Sequence, residues 1–164
     1  MSKILNTQLT GIFNRIEKQA MEIQMAAQCI VQAIGGEGFV YIKGYEDLAF
    51  FEPFILQSQE RLRSSRQLST LNSFDDLDTT DRVFLFSPFY NEAVAQDISA
   101  LLQRDIDIVL VSNRPKSDDF PEHLLHFINL STPRPIVYTE DYDKIVQPHS
   151  CLLYTSPSPR DRQK

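Results

Sequence analysis

Two short polar segments each follow an apolar run that is long enough for a buried strand. Ser87 to Asn91 follow the run Val83–Phe86, and Ser112-Asn113 end the run that begins at Ile106. Hydroxyl and amide groups at the carboxyl ends of parallel strands, beside the start of a helix, can bind a sugar or an anion. The candidate ligand-binding residues in these two segments are Ser87, Phe89, Asn91, Ser112 and Asn113.

Gly44 is a further candidate, because it follows the apolar segment Phe39–Lys43. A glycine lets the chain turn sharply and lets backbone N–H groups approach a ligand closely. Lys43 and Arg114 stand next to two of the candidates, Gly44 and Asn113, and would add positive charge if they face the same site.

The same residue types also have an ordinary structural explanation. Serine and asparagine are common helix caps and turn residues. Glu92, in the first turn of the expected helix, complements the helix dipole. It therefore occupies the place where a bound phosphate would interact most favourably with that dipole. Both interpretations, a ligand site and a set of caps, stay open at this point.

No motif for other chemistry is present in the sequence. It lacks a Gly-rich phosphate loop of the Walker or dinucleotide type, a nucleophile elbow and a metal-ligand spacing. His123 and His126 are three apart, but no carboxylate or cysteine is placed to complete a metal site. Cys29 and Cys151 form no redox motif. We therefore expect no metal and no cofactor, and the catalytic residues, if any, are unknown.

Strand and helix patterns alternate along the chain. A helical pattern begins near Asn91 and separates two apolar strands, Val83–Phe86 and Ile106–Val111, which is the pattern of a βαβ crossover. Further strands are expected at Phe39–Lys43, within 61–71 at the sheet edge, and at Phe127–Leu130, and a second helix over 46–57. This order predicts a three-layer α/β fold with a five-stranded parallel sheet in the order 2-1-3-4-5.

The first segment has apolar residues at helical spacing from Thr7 to Ile34, and Gly35-Gly36 end the pattern. One helix of nearly thirty residues would exceed the usual length of about 11–12. Such a helix leans on a neighbouring element or on a second subunit. We therefore expect a homo-oligomer formed through this first helix, with a bent intramolecular helix as the alternative.

Size and composition are those of a single globular domain: 164 residues, 42% hydrophobic and 23% charged. The net charge of −6 argues against nucleic acid as a partner. No apolar run approaches the ~20 residues of a membrane span, and the N-terminus lacks the apolar core of a signal peptide. A bacterial, cytoplasmic protein with no membrane partner is the expectation.

The C-terminal residues 151–164 need separate treatment. The run from Cys151 to Asp161 resembles the in-frame translation of a transposase adapter used for sequencing libraries, with Arg162 to Lys164 as read-through. Without these residues, three of them basic and one acidic, the net charge changes from −6 to −8. We therefore expect a domain over residues 1–150, truncated at its C-terminus so that a final helix is missing, followed by a non-native tail.

Three segments resemble a bacterial family of unknown function. Thr7–Ile16, Asp78–Ser87 and Pro135–Asp141 are similar to the family called domain of unknown function 2529, and the resemblance covers residues 1–150. That family in turn resembles the SIS (sugar isomerase) domains, and some members are labelled phosphoheptose isomerases. The resemblance implies a five-stranded parallel sheet of the SIS or flavodoxin-like type, an oligomer, and phosphosugar binding at the carboxyl strand ends.

Two candidates match the SIS pattern by position. Gly44 stands at the first Gly-rich loop, and Ser87 matches the first serine of Ser-x-Ser-Gly-x-Thr, whose later residues are absent from Pro88–Glu92. No carboxylate and histidine are placed for enediol proton transfer. The resemblance thus implies a non-catalytic domain that binds a carbohydrate derivative, either a sugar phosphate or a nucleotide sugar. The alternatives are a sugar-phosphate (aldose–ketose) isomerase and a ligand-free structural or regulatory homo-oligomer.

Overall fold

The computed structural model describes residues 2–132 and, further on, the backbone of two short strands, β6 (Val137–Tyr138) and β7 (Ile145–Val146), which pair antiparallel. The expected tail at 151–164 lies outside the described residues, and so does most of 135–150. Among the helices of the described part, none combines the length and the apolar character that crossing a membrane requires.

The core of the fold is a five-stranded parallel sheet in the order β2-β1-β3-β4-β5. Its strands are β1 (Val40–Gly44), β2 (Ser65–Gln67), β3 (Arg82–Phe86), β4 (Asp107–Ser112) and β5 (His126–Asn129). Every neighbouring pair is parallel. The predicted fold class and strand order are therefore confirmed.

Helices cover both faces of the sheet, which is why the central strands are nearly continuous apolar runs. On one face, α2 (Ala20–Gly35) and α3 (Glu52–Gln57) pack against side chains such as Val40 and Ile42. On the other face, α4 (Glu92–Leu102) packs against side chains such as Val83 and Leu85. Alternate residues of each strand thus enter two separate cores.

The predicted single helix from Thr7 to Ile34 is wrong. The segment forms α1 (Ser2–Glu17) and α2, which are separated by a turn at Lys18-Gln19. The Gln19 side chain pairs with the end of β5: its Nε2 donates to the Asn129 carbonyl over 2.7 Å, and its Oε1 accepts from the Asn129 N–H over 2.8 Å. The break is therefore made by a contact that is distant in sequence, and no glycine or proline marks it.

Of two smaller predictions, one needs correction and the other is confirmed. The expected helix over 46–57 is a 3₁₀ segment, Glu46–Phe51, followed by α3, whose first turn contains Pro53, a position that proline tolerates. The expected short edge strand within 61–71 is confirmed as β2, which ends where Leu68 turns inward and is buried in the core.

Candidate functional site

The strands bring the candidate residues to one edge of the sheet. Gly44 is the last residue of β1, Ser87 follows β3, and Ser112-Asn113 end β4. Parallel strands place these carboxyl ends side by side, and the loops after β1 and β3 flank the point at which the strand order reverses. The contacts of each residue then decide what it can offer to a ligand.

Gly44 is enclosed by protein. Its N–H donates to Oε1 of the buried Glu52 over 2.7 Å, and Gln67 Nε2 donates to Oε2 of the same carboxylate over 2.9 Å. A Cβ on Gly44 would lie 2.5 Å from Phe86 Cε2, and no glycine within the described residues has a positive φ. The glycine is therefore required by close packing, and its contact with a ligand stays a prediction.

The polar groups of the loop after β3 also form hydrogen bonds with other protein groups. Ser87 is fully buried, and its hydroxyl donates to the Phe89 carbonyl over 2.6 Å. Asn91 caps α4, because its Oδ1 accepts from the Val94 N–H over 3.0 Å, and its Nδ2 donates to Glu46 Oε1 over 3.0 Å. The last bond spans the point at which the strand order reverses, with Glu46 held at a φ of 52°. Ligand contact by Ser87, Phe89 and Asn91 stays a prediction.

Asn113 joins three loops beneath the sheet edge. Its Nδ2 donates to the Pro88 carbonyl over 2.7 Å, and its Oδ1 accepts from the Thr132 N–H over 2.7 Å. The Ser112 hydroxyl, also buried, donates to the Asn113 carbonyl over 3.2 Å. These buried contacts give Asn113 the role of positioning the segments around it.

A cleft of about 310 Å³ opens beside Asn113, and we call it the arginine cleft. It is lined by Arg15, Asn113, Arg114, Asn129 and Ser131. Arg15 Nη2 donates to the Ser131 carbonyl over 3.2 Å, and Asn129 Oδ1 accepts from the Ser131 N–H over 2.9 Å. These two bonds hold Ser131 in the left-handed region, at a φ of 56°, which is an uncommon conformation that often occurs at functional sites.

A second cleft of about 340 Å³ shares Arg15, Arg114, Asn129 and Ser131 with the first. It adds Lys18, Glu22 and Glu122, and the Arg114 Nη2 atom lies 2.8 Å from Glu122 Oε2. The two clefts together contain three cationic side chains and two carboxylates. The two clefts therefore carry a formal charge of one positive unit in a chain whose net charge is −6, and the N-terminus of α2, which follows Gln19, adds to the positive potential there.

With the fold and the clefts described, the comparisons with known proteins identify the family. The model of the family "Domain of unknown function (DUF2529)" matches residues 1–155. The chain belongs to the DUF2529 family. It is similar to "Uncharacterized protein YwjG" of Bacillus subtilis (strain 168), with 29% identity over 146 residues, which is 86% of this chain and 82% of that protein. The predicted family resemblance is confirmed.

The sequence of this DUF2529 member contains a signal for part of the arginine cleft. Asn129 ends the fifth strand and Ser131 follows two residues later, much as Ser112 ends the fourth strand and Asn113 follows it, so the same argument applies to them. Arg15 had no such signal, because it comes from α1 and reaches the sheet edge only through the fold.

The predicted cation Lys43 lies elsewhere in the DUF2529 fold. Its Nζ pairs with Asp97 Oδ2 over 2.7 Å, and the Tyr45 hydroxyl donates to the same oxygen over 2.5 Å. Burial, together with this hydrogen bond to a carboxylate, raises the pKa of Tyr45 well above its ordinary value of 10.0. Within residues 2–132, no three His, Cys, Asp or Glu side chains form a group that could hold a metal ion.

Proposed function

We propose that this DUF2529 chain is a non-catalytic module that binds an anionic carbohydrate derivative, a sugar phosphate or a nucleotide sugar, in the arginine cleft. The observation that carries the proposal is that Arg15 from α1 and Arg114 from the segment after β4 line one cleft at the carboxyl edge of the sheet. A guanidinium group matches phosphate oxygens in a bidentate geometry. Two such groups from separate elements suit a dianion.

The remaining lining suits a sugar. The hydrogen bonds of Asn129 within residues 2–132 use its N–H, its carbonyl and its Oδ1, so its Nδ2 remains available as a donor. Within residues 2–132, the hydrogen bonds of Ser131 are made by its backbone, and its hydroxyl is the group that this proposal assigns to the ligand. The volume of about 310 Å³ lies at the lower end of the ~300–1,000 Å³ range of small-molecule sites.

In this proposal the ligand lies in the arginine cleft, farther along the sheet edge than most of the residues predicted from the sequence. Within residues 2–132, the groups at Gly44, Ser87, Asn91 and Ser112 are engaged by protein partners, whereas the hydrogen bonds of Asn129 do not use its Nδ2. Asn113 serves as the floor of the cleft in this proposal. The SIS-like relationship, with its expectation of a phosphosugar at the carboxyl strand ends, is part of the same proposal, as is a cytoplasmic location.

A thermal-shift and calorimetric series tests the proposal on the full chain. We expect a hexose 6-phosphate, and more weakly inorganic phosphate, to raise the melting temperature at millimolar concentration, while the free hexose does not. The double variant Arg15→Gln, Arg114→Gln should lose the effect. Arg63→Gln is the control, because Arg63 is exposed and precedes β2 at the opposite edge of the sheet. No response to any phosphorylated or nucleotide sugar would refute the proposal.

Aldose–ketose isomerisation remains the enzymatic alternative. It requires a base within hydrogen-bond reach of a carbon-bound proton of the sugar. Glu22 and Glu122 are the carboxylates that line the second cleft, next to the arginines. Turnover of a sugar phosphate that is lost in Glu22→Gln or Glu122→Gln, with phosphate binding retained, would establish the enzyme in place of the binding module.

A further inference from the structure

The side of α2 that points away from the sheet has no charged residue. Its exposed members are Met21, Gln24, Met25, Ala27, Gln28, Val31 and Gln32, and we call them the α2 face. Charged side chains normally occupy the outer stripe of a surface helix, and 23% of this chain is charged. Glu22, the acidic residue of α2, is also exposed but lies at the border of this face, where it lines the clefts next to β5, and Met25 lines one of these clefts with it.

Exposed apolar side chains are concentrated in the helical segments of the first 57 residues, and α2 carries four of them, three on the α2 face. Of the ten large hydrophobic side chains that are exposed in residues 2–132, eight belong to α1, α2 and the segment Glu46–Gln57: Ile4, Phe13, Met21, Ile23, Met25, Val31, Phe50 and Phe54. Met21 is 72% exposed and Val31 is 61% exposed. A single exposed apolar residue is ordinary, but a concentration of them indicates an interaction surface.

We infer that the α2 face packs against the α2 face of a second copy of this chain. In a two-fold dimer the same residues of the two copies meet, so a charge near the axis would meet its own kind. The α2 face avoids this repulsion completely. Each glutamine amide carries both donors and an acceptor, so identical glutamines can pair across the axis, and the flexible methionines can adapt to one another.

The overall charge favours a second copy over a charged partner. Two copies that each carry −6 repel one another across most of their surfaces, and an uncharged face is where self-association costs least. A basic or acidic partner would instead be matched by opposite charges, which the α2 face does not offer. The face is about 24 Å long, from the 16 residues of α2.

Light scattering and analytical ultracentrifugation of the full chain test the inference. We expect a dimer at micromolar concentration. Gln28 is at the middle of the face, so both Gln28→Glu and Gln28→Lys should give monomers, while an equimolar mixture of the two variants should restore a dimer because opposite charges then meet. Met25→Glu should also give a monomer. Leu124→Glu is the matched control, because Leu124 is 54% exposed and Met25 is 51% exposed, and Leu124 lies outside α1–α3.

Two results would overturn the inference. One is a wild-type protein that stays monomeric up to about 100 μM, since association weaker than that corresponds to less than roughly 5.5 kcal/mol. The other is a dimer that persists in Gln28→Glu and Met25→Glu, which would place the interface elsewhere. Circular dichroism of each variant shows whether it is folded, and heterodimer formation by the mixed Gln28 variants gives support that does not depend on any single variant.

Discussion

Asn113 and Thr132 form a closed set of hydrogen bonds that joins the segments after β4 and β5. Asn113 Oδ1 accepts from the Thr132 N–H over 2.7 Å, and Asn113 Nδ2 donates to the Thr132 carbonyl and hydroxyl, each over 3.2 Å. Both residues are buried, and the same Nδ2 reaches the Pro88 carbonyl. One amide side chain thus fixes three loops, and the arginine cleft lies on top of them.

Asn113→Ala should destabilise the protein strongly. The change leaves the buried Thr132 N–H without its Asn113 partner, and the Pro88 carbonyl keeps only the longer bond from the backbone N–H of residue 113, over 3.4 Å. We expect a loss of about 1–3 kcal/mol in the free energy of unfolding, the cost of one unsatisfied buried group, measured by urea denaturation. Asn72→Ala, at an exposed position, is the control and should change stability by no more than about 0.5 kcal/mol. Equal stability of the two variants would contradict this account.

The sheet was predictable from the sequence, because each central strand is an apolar run that ends at a polar or turn residue. The cap at Asn91 was predictable for the same local reason, since its Oδ1 binds an N–H only three residues later. The break between α1 and α2 was not predictable. The break depends on the pairing of Gln19 with Asn129, which are 110 residues apart in the sequence. The helical periodicity of the segment does not indicate this break.

The candidate site was likewise predictable only in part. The edge of the sheet was correctly placed by strand ends, but the partners that occupy its polar groups come from other elements. Glu52, which accepts the hydrogen bond from the Gly44 N–H, lies in α3, and its sequence position is that of an ordinary acidic residue in a first helical turn. Arg15, which brings a cation to the cleft, lies in α1. Such pairings follow from three-dimensional packing, and a linear pattern does not contain them.

Gly44→Ala should destabilise the protein, because the new methyl group has no room. Its Cβ would lie 2.5 Å from Phe86 Cε2, 2.7 Å from the Leu48 carbonyl oxygen and 2.9 Å from the Ala49 Cα, and two of these are backbone atoms that cannot move freely. Overpacking of this kind costs about 1–3 kcal/mol or more. Urea denaturation at low protein concentration measures the effect.

Gly35→Ala is the matched control for Gly44→Ala. A Cβ at Gly35 would meet nothing within 4 Å, and the residue ends helix α2. Alanine is preferred over glycine in a helix by up to about 1 kcal/mol, so this variant should be neutral or more stable than wild type. If both variants lost stability equally, close packing at Gly44 would not be the cause.

Tyr45→Phe should change the pH dependence of stability. Burial and the bond to Asp97 raise the pKa of Tyr45 in the folded protein, so above pH 10 the unfolded chain loses this proton first and stability falls as the pH rises. The contribution is therefore complete below pH 10 and is lost on the alkaline side. We expect Tyr45→Phe to cost about 1.5–3 kcal/mol near pH 7, the usual value of a hydrogen bond to a charged group.

In Tyr45→Phe, the free energy of unfolding should fall less steeply above pH 10 than in wild type. Urea denaturation from pH 7 to pH 11 in parallel with wild type measures both effects. The variant should begin less stable and lose less with rising pH, so the two curves should converge. Curves that remain parallel across this range would show that Tyr45 does not titrate differently in the folded and unfolded states, contrary to the environment that Asp97 and burial provide.

Glu122→Gln should strengthen the binding of inorganic phosphate in the arginine cleft. The Glu122 carboxylate is paired with Arg114 over 2.8 Å, so an incoming anion competes with it for the guanidinium. Both side chains are substantially exposed, at 61% and 47%, and exposed pairs of this kind are worth about 0.2–1 kcal/mol. Removing the competitor should therefore lower the dissociation constant about 1.5- to 5-fold, measured by titration calorimetry in about 0.1 M salt.

Glu60→Gln is the control for the change in net charge. Glu60 is exposed and lines neither cleft. Its replacement therefore makes the same change in net charge as Glu122→Gln but does not free a guanidinium group. We expect it to leave phosphate affinity nearly unchanged, because an exposed charge farther away than about 10 Å is screened at 0.1 M salt. A similar gain from both variants would assign the effect to overall charge, and a weaker affinity in Glu122→Gln would show that the carboxylate helps to orient Arg114 for the ligand.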